Sequence, residues 1–153
     1  MTETIDNLAQ LVVRNAPPRD VPAIRALFKR AYAGSGVSSY TAAMLRGQVN
    51  SYPDGQFVAE HHEADGGHII GFCSSFLVAG EVALKPHDWN WITGGGYASR
   101  HDPDGDYLYR MAVCVDPDYR GLSIGQRFYD ERKKLVQSLA LKGIVYGGRL
   151  PTC

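Results

Sequence analysis

Between Tyr107 and Leu141 the apolar residues of this chain change their period. Tyr107 to Val115 alternates as a strand does, whereas Ile124, Phe128, Leu135 and Leu139 recur at helical spacing. Pro117, Gly121 and Gly125 stand at the joint. A strand that passes through a turn straight into a helix leaves the first helical amides without intrahelical partners. The helix dipole adds partial positive charge at that end, and such a terminus takes phosphate oxygens. Glycines there carry no Cβ, so a ligand can approach the backbone closely. The pattern suits a pyrophosphate. It is not a P-loop, because no Gly-Lys-Ser/Thr follows, and its glycine spacing is not that of a dinucleotide fingerprint. The bland alternative is an ordinary strand–turn–helix joint.

The rest of the chain supplies the surroundings for this joint. Gln10 to Asn15 predicts a first strand. Asp20 reads as a helix N-cap with Pro22 in the first turn, and Val21, Ile24, Leu27, Phe28 and Ala31 carry the helical stripe up to Gly34 and Gly36. A shorter helix is expected from Tyr40 to Gln48. Tyr52-Pro53-Asp54-Gly55 is a turn, Gln56 to His61 a strand, Ala64-Asp65-Gly66-Gly67 a hairpin signal, and His68 to Val78 the partner strand. Residues 79–106 are irregular and rich in Gly, Pro, Trp and Asp. After the helix, Lys142-Gly143 ends it and Ile144 to Tyr146 forms a short last strand. The order is β-α-α-β-β-β-α-β, an α/β (α+β) arrangement of a mixed sheet with helices on its faces.

At 153 residues, 44% of them hydrophobic, the chain is one domain's worth of sequence with enough apolar side chain for a single core. Sixteen basic residues balance 16 acidic ones, which argues against a large phosphate-backbone interface, so no nucleic-acid partner is expected. Three cysteines without a C-x-x-C pair indicate reduced thiols rather than a disulfide framework or zinc ribbon. The polar N-terminus is not a signal peptide, and no apolar run approaches the roughly 20 residues of a membrane span. A cytoplasmic location without membrane attachment is the expectation.

The stretch V-x-P-x-Y-R-G-x-x-I-G, Val115 to Gly125, closely resembles the acetyl-CoA-binding motif of GNAT N-acetyltransferases, Arg/Gln-x-x-Gly-x-Gly/Ala after a strand ending in V-x-P. Arg120, Ser123 and Gly125 take the three marked places, with Ser123 where the family has its middle glycine. The resemblance implies a mostly antiparallel GNAT-like sheet. It implies that the backbone of Gly121, Leu122, Ser123, Ile124 and Gly125 cradles the CoA pyrophosphate with Arg120 nearby. The pantetheine arm would lie along the strand at Met111, Val113 and Val115, with the amide near Val113 polarising the thioester carbonyl. Acetyl-CoA is then the acyl donor, and the acceptor is a small-molecule or protein amine. The family usually carries a bulge in this strand, so the alternation of Tyr107, Tyr109, Met111, Val113 and Val115 need not hold through it. At Ser123 a Cβ would either crowd the pyrophosphate or bring a hydroxyl that donates to it.

GNAT domains normally continue past the fifth strand with a helix, which often supplies a Tyr general acid, and two more strands. The resemblance therefore implies that residues 1–153 are a single GNAT-like domain, C-terminally incomplete or completed by a partner chain. The edge left beside Ile144 to Tyr146 implies a homodimer. The alternative reading is a non-catalytic acyl-CoA-binding or interaction module. The segments HDPDGD, DGDYLYRM and ALKGIVYGGRLP also resemble the N-terminal acetyltransferase part of two-domain proteins that carry a nitrilase-like hydrolase. For the general base, Asp106 or His101 acting through water is the candidate, against the plainer role of Asp106 as a turn cap. Trp89, Trp91 and Tyr97 either line an acceptor pocket or pin the long loop down. His61 and His62 point to opposite faces of a strand and His61 and His68 meet across the hairpin; no metal site is expected there.

Overall fold

The computed structural model describes residues 11–34, 40–63 and 66–146, apart from the side chains of Glu63, Gly66 and Arg120. The expected strand start at Gln10, the stop at Gly36, the hairpin tip Ala64-Asp65 and the segment Gly147 to Cys153 lie outside those residues.

Five strands form one sheet in chain order: β1 (Leu11–Asn15), β2 (Gln56–Glu63), β3 (Gly66–Val78), β4 (Tyr107–Val115) and β5 (Gly143–Tyr146). Neighbours are antiparallel except β4 and β5, which are parallel because helix α5 (Ile124–Ser138) crosses between them. Helices α1 (Val21–Ala31) and α2 (Ala42–Ser51) precede β2. Their inward residues Ile24, Leu27, Phe28, Leu45 and Val49 pack with Val58, Phe72 and Cys114 on one face of the sheet. Ile124 and Phe128 of α5 pack with Phe57, Ala59, Ile70 and Cys73 on the other. Gly71 permits that contact, since a Cβ there would lie 3.0 Å from Ile124 and 3.2 Å from Phe128. One turn further along α5, Arg132 is buried. Its Nη1 donates to Cys73 Sγ at 2.7 Å, and its Nε has no partner among the described residues.

Local signals account for most element ends. Thr41 caps α2 by accepting the Met44 N–H at 3.2 Å. Asp20 stands at the N-cap of α1 but makes no side-chain cap bond, because Arg14 claims its carboxylate at 2.7 Å. Helix α5 stops at Ser138 rather than at Leu141, where Ala140 turns the chain with φ of 53°. The expected irregular stretch 79–106 contains two one-turn helices, α3 (Gly80–Ala83) and α4 (Trp89–Ile92). Asp88 caps α4 by accepting from Trp91 N–H. Burial holds the Cys73 and Cys114 thiols above their usual range, Cys114 at about 12, so both remain protonated at neutral pH.

Candidate functional site

The site is built around the middle of β4. Ser74 faces Ala112 while Ser75 faces Arg110, so Met111 is an extra residue, a β-bulge. On the other edge β4 pairs with β5 only over Tyr107 to Arg110; among the described residues Met111 to Val115 has no strand partner there. An unpaired edge of this kind offers main-chain donors and acceptors to an extended ligand. The chain then enters a 3-10 turn, Pro117–Leu122, and α5. The first i→i−4 bond of α5 among the described residues runs from Arg127 N–H to Ser123 O at 3.1 Å, and among them no earlier amide of α5 has such a partner. Cβ atoms built on Gly121 or Gly125 meet nothing within 4 Å. The space in front of this helix end is open.

The turn is fixed from behind. Asp116, 5% exposed, accepts from Arg30 Nε at 3.0 Å and from Asp118 N–H at 3.0 Å, and its own N–H donates to Ile70 O at 2.8 Å. Arg30 also donates to Ile69 O at 3.1 Å, so one guanidinium ties α1, β3 and the turn together. Tyr119 leaves the helical region inside the turn, at φ −122° and ψ 18°, and its hydroxyl meets His68 Nε2 at 3.0 Å.

Similarity to other proteins agrees with this geometry. No protein-family model matches the chain. Over 142 residues, 93% of this chain, it is 38% identical to a Bacillus subtilis (strain 168) protein named probable hydrolase YhcX, of which it spans 26%. It is 30% identical over 107 residues to the uncharacterized N-acetyltransferase YkwB of the same organism, covering 70% of this chain and 46% of that one. The chain thus spans less than half the length of either relative. Among solved structures, the GphF GNAT-like decarboxylase in complex with isobutyryl-CoA superposes with a TM-score of 0.62 at 28% identity, over 78% of this chain and 55% of that one. The chain has the fold of the GNAT superfamily.

In this GNAT-fold domain the residues marked in the sequence fall into two groups. Met111, Val113, Val115, Gly121, Leu122, Ser123, Ile124 and Gly125 form one continuous path along β4, through the turn and onto α5. Arg120 lies on that path by its backbone, its side chain being outside the described residues. Ser123 adopts φ of 55° and ψ of 38°, the left-handed conformation, which is the physical reason a glycine suits this position. Asp106 and His101 stand apart from the path, at the end of the long loop. Asp106 accepts the Gly80 N–H at 2.7 Å and pairs with Lys142 at 3.2 Å; these contacts hold its carboxyl below the usual range. His101 Nδ1 accepts the Leu77 N–H at 3.0 Å while its ring stacks on Tyr52 at 4.4 Å. Burial lowers its pKa.

Two contacts of the long loop had no counterpart in the sequence pattern. His87 Nε2 meets the buried Tyr109 hydroxyl at 3.0 Å, and Trp89 Nε1 donates to Met111 O at 3.4 Å. Residues two apart on the loop thus engage residues two apart on β4, around the bulge. His87 Nδ1 lies 2.8 Å from Lys85 O, which places the proton of a neutral ring on Nδ1 and leaves Nε2 to accept from Tyr109. Trp91 is exposed beneath the Arg100 guanidinium at 4.1 Å, and Tyr97 is exposed over Gly47. Trp89 alone of the three loop aromatics reaches β4. No helix among the described residues is long and apolar enough to cross a membrane.

Proposed function

We propose that this domain binds acetyl-CoA at the Pro117–Gly125 turn and transfers the acetyl group to an amine. The observation that carries the reading is the continuity of three features: the bulged β4 with its unpaired outer edge, the turn, and the open helix end at Gly121 and Gly125. The amides around Gly121 to Gly125 hold the pyrophosphate, and the pantetheine arm pairs with β4 at Met111 to Val115. An amide near Val113 draws charge onto the thioester oxygen as the amine attacks. The new C–N bond forms, the C–S bond breaks, and the amine's proton must reach a base.

Tyr109 and His87 are the better placed pair for that proton, because Asp106 is committed to Gly80 and Lys142. A proton received at Tyr109 Oη is matched by one passed to His87 Nε2. The half-buried His87 then releases it to the thiolate through solvent. Since Tyr109 is closed off from solvent, the loop carrying His87 and Trp89 must lift for an acceptor to enter.

A second reading is supported by the 28% identity to a GNAT-like decarboxylase bound to isobutyryl-CoA: the same cradle would take a carboxylated acyl-CoA. The similarity to 26% of YhcX supports a domain that works within longer chains, and no hydrolase activity is proposed for these residues. The outer edge of β5 pairs with no strand among the described residues, which supports a homodimer, testable by light scattering over a concentration series.

The test of the function is calorimetry with CoA followed by thiol release from acetyl-CoA over an amine panel, with a carboxylated acyl-CoA alongside. CoA binding with amine-dependent thiol release supports acetyl transfer; thiol-independent CO2 release selects the second reading. Absence of CoA binding overturns both.

A further inference from the structure

On the α5 face of the sheet, a buried cation stands without a counter-charge among the described residues. Arg132 is 3% exposed, and its Nη1 donates to Cys73 Sγ at 2.7 Å. Burial keeps that thiol protonated, so it supplies no negative charge. Nε of Arg132 is buried without a hydrogen-bond partner, and among the described residues no carboxylate pairs with the guanidinium. The acids beside it on α5 are engaged elsewhere: Asp130 accepts from Gln126 at 3.0 Å and Glu131 from Lys134 at 3.1 Å. A second guanidinium, that of Arg110, stands on the same face, where its charge acts on the Cys73 thiol and it lies 4.4 Å from the centre of the Tyr146 ring. A guanidinium keeps its charge in a protein interior, and burying one without a partner destabilises the fold. Departures of this kind concentrate at functional sites.

The sheet register fixes what this charge faces. Cys73 lies opposite Val113 and Ser75 opposite Arg110, on either side of the bulge at Met111. Residues directly opposite share a face, and Cys73 and Val113 both pack with Ile124 and Phe128 of α5. Opposite Cα atoms are about 5 Å apart, so the guanidinium lies roughly 7–10 Å from a thioester oxygen held at an amide near Val113. We propose that Arg132 is a positioning residue for the negative charge that develops in acetyl transfer: its buried, uncompensated guanidinium stands behind β4 and favours charge on the thioester oxygen and on the departing sulfur, touching neither. The inference rests on the CoA reading of β4 and adds to it a residue that acts on the chemical step. In that step the C–N bond forms as the carbonyl electron pair moves onto oxygen. The pair then returns, the C–S bond breaks, and sulfur leaves as the thiolate while the amine gives up its proton. At an effective dielectric of about 20, a unit charge at that distance changes a rate roughly ten- to fiftyfold, and burial limits its screening by salt.

The test compares the wild type with Arg132→Met, which keeps the apolar bulk, and Arg132→Gln, which keeps a donor for Cys73; neither keeps the charge. Both should lower kcat for amine-dependent thiol release roughly ten- to fiftyfold, while KM for acetyl-CoA and the calorimetric Kd for CoA stay within about twofold. In infrared spectra of bound, isotope-labelled acetyl-CoA, the thioester carbonyl stretch should lie at lower wavenumber in the wild type than in either variant, because a cation that favours charge on oxygen weakens the C=O bond. Arg132→Met should also raise the denaturant midpoint, since it removes an unpaired buried charge. Unchanged kcat and an unshifted carbonyl stretch in the folded variants overturn the proposal; a lowered midpoint alongside them assigns Arg132 to packing alone. Full activity in Arg132→Gln also overturns it, since a hydrogen bond and not a charge is then what matters. So does a loss of CoA affinity that accounts for the loss of activity. If the wild type binds CoA but releases thiol with no amine, the carbonyl stretch decides. Failure of the wild type to bind CoA overturns the CoA reading, and this inference with it.

Discussion

Ser123 sits where a helix begins, in a conformation that costs an L-residue about 1–2 kcal/mol. Glycine escapes that cost but loses more chain entropy on folding, about 0.5–1 kcal/mol. Ser123→Gly should therefore stabilise the domain by roughly 0.5–1 kcal/mol, read as a rise in the denaturant midpoint at constant slope. Its hydroxyl makes no cap bond to the helix among the described residues, so no cap is lost. Gly125 poses the opposite case. A Cβ has open space in front of it, so Gly125→Trp should fold normally and fill the space a phosphate would take. Losing two charge-assisted bonds of about 1.5 kcal/mol each weakens CoA binding about 100-fold. Calorimetry showing unchanged affinity would remove the turn as the CoA site.

At the scale of the elements, the long loop between β3 and β4 is held by a contact that depends on protonation. Its return to the sheet is held by His101, which accepts from Leu77 N–H only while Nδ1 is unprotonated, and by Asp102 N–H on Leu77 O at 2.9 Å. Burial favours the neutral ring, so the folded pKa lies below the unfolded value of about 6.5. The unfolded chain then binds the proton more readily. The stability His101 contributes is full above the unfolded pKa and is lost as pH falls through the folded one. His101→Asn keeps an acceptor near Nδ1 and cannot titrate. It should lose less stability between pH 7 and pH 5 than the wild type does, as chemical denaturation at the two pH values would measure. Equal losses would mean that His101 does not carry the pH dependence. The turn after β4 depends on a different anchor. Removing Arg30 strands the buried Asp116 carboxylate, so Arg30→Ala should cost about 1–2 kcal/mol, discounted because the guanidinium is half exposed.

Across the whole molecule, the sheet is held from both faces, by α1 and α2 on one side and α5 on the other, while the middle of β4 keeps an edge without a described strand partner. A ligand that lies along that edge and on the helix end binds the folded chain and not the unfolded one. CoA at about 100 times its Kd adds about 2.7 kcal/mol. For a domain of this size that corresponds to a rise in Tm of roughly 5–10 °C. Thermal unfolding with CoA, and with Gly125→Trp as control, measures it; an unshifted midpoint in the wild type contradicts the proposed site.

The sequence by itself determined the five strands and the three longer helices in their order, though not the two one-turn helices of the long loop, because apolar period, caps and glycine stops act over a few residues. Tyr107–Val115 is a strand over its expected length, and the joint from Val115 to Gly125 leads from that strand into a helix as its pattern required. It also marked the path of residues from Met111 to Gly125, since one continuous segment supplies all of them. Tertiary structure alone decided where the bulge falls, at Met111, because register depends on what β3 places opposite. It alone brought His87 to Tyr109 and His68 to Tyr119, across 22 and 51 residues of chain. It also assigned the carboxylate of Asp20 to Arg14 instead of to the helix it precedes. Such pairings form because packing brings distant side chains within hydrogen-bonding distance, and no local pattern in either segment specifies the other.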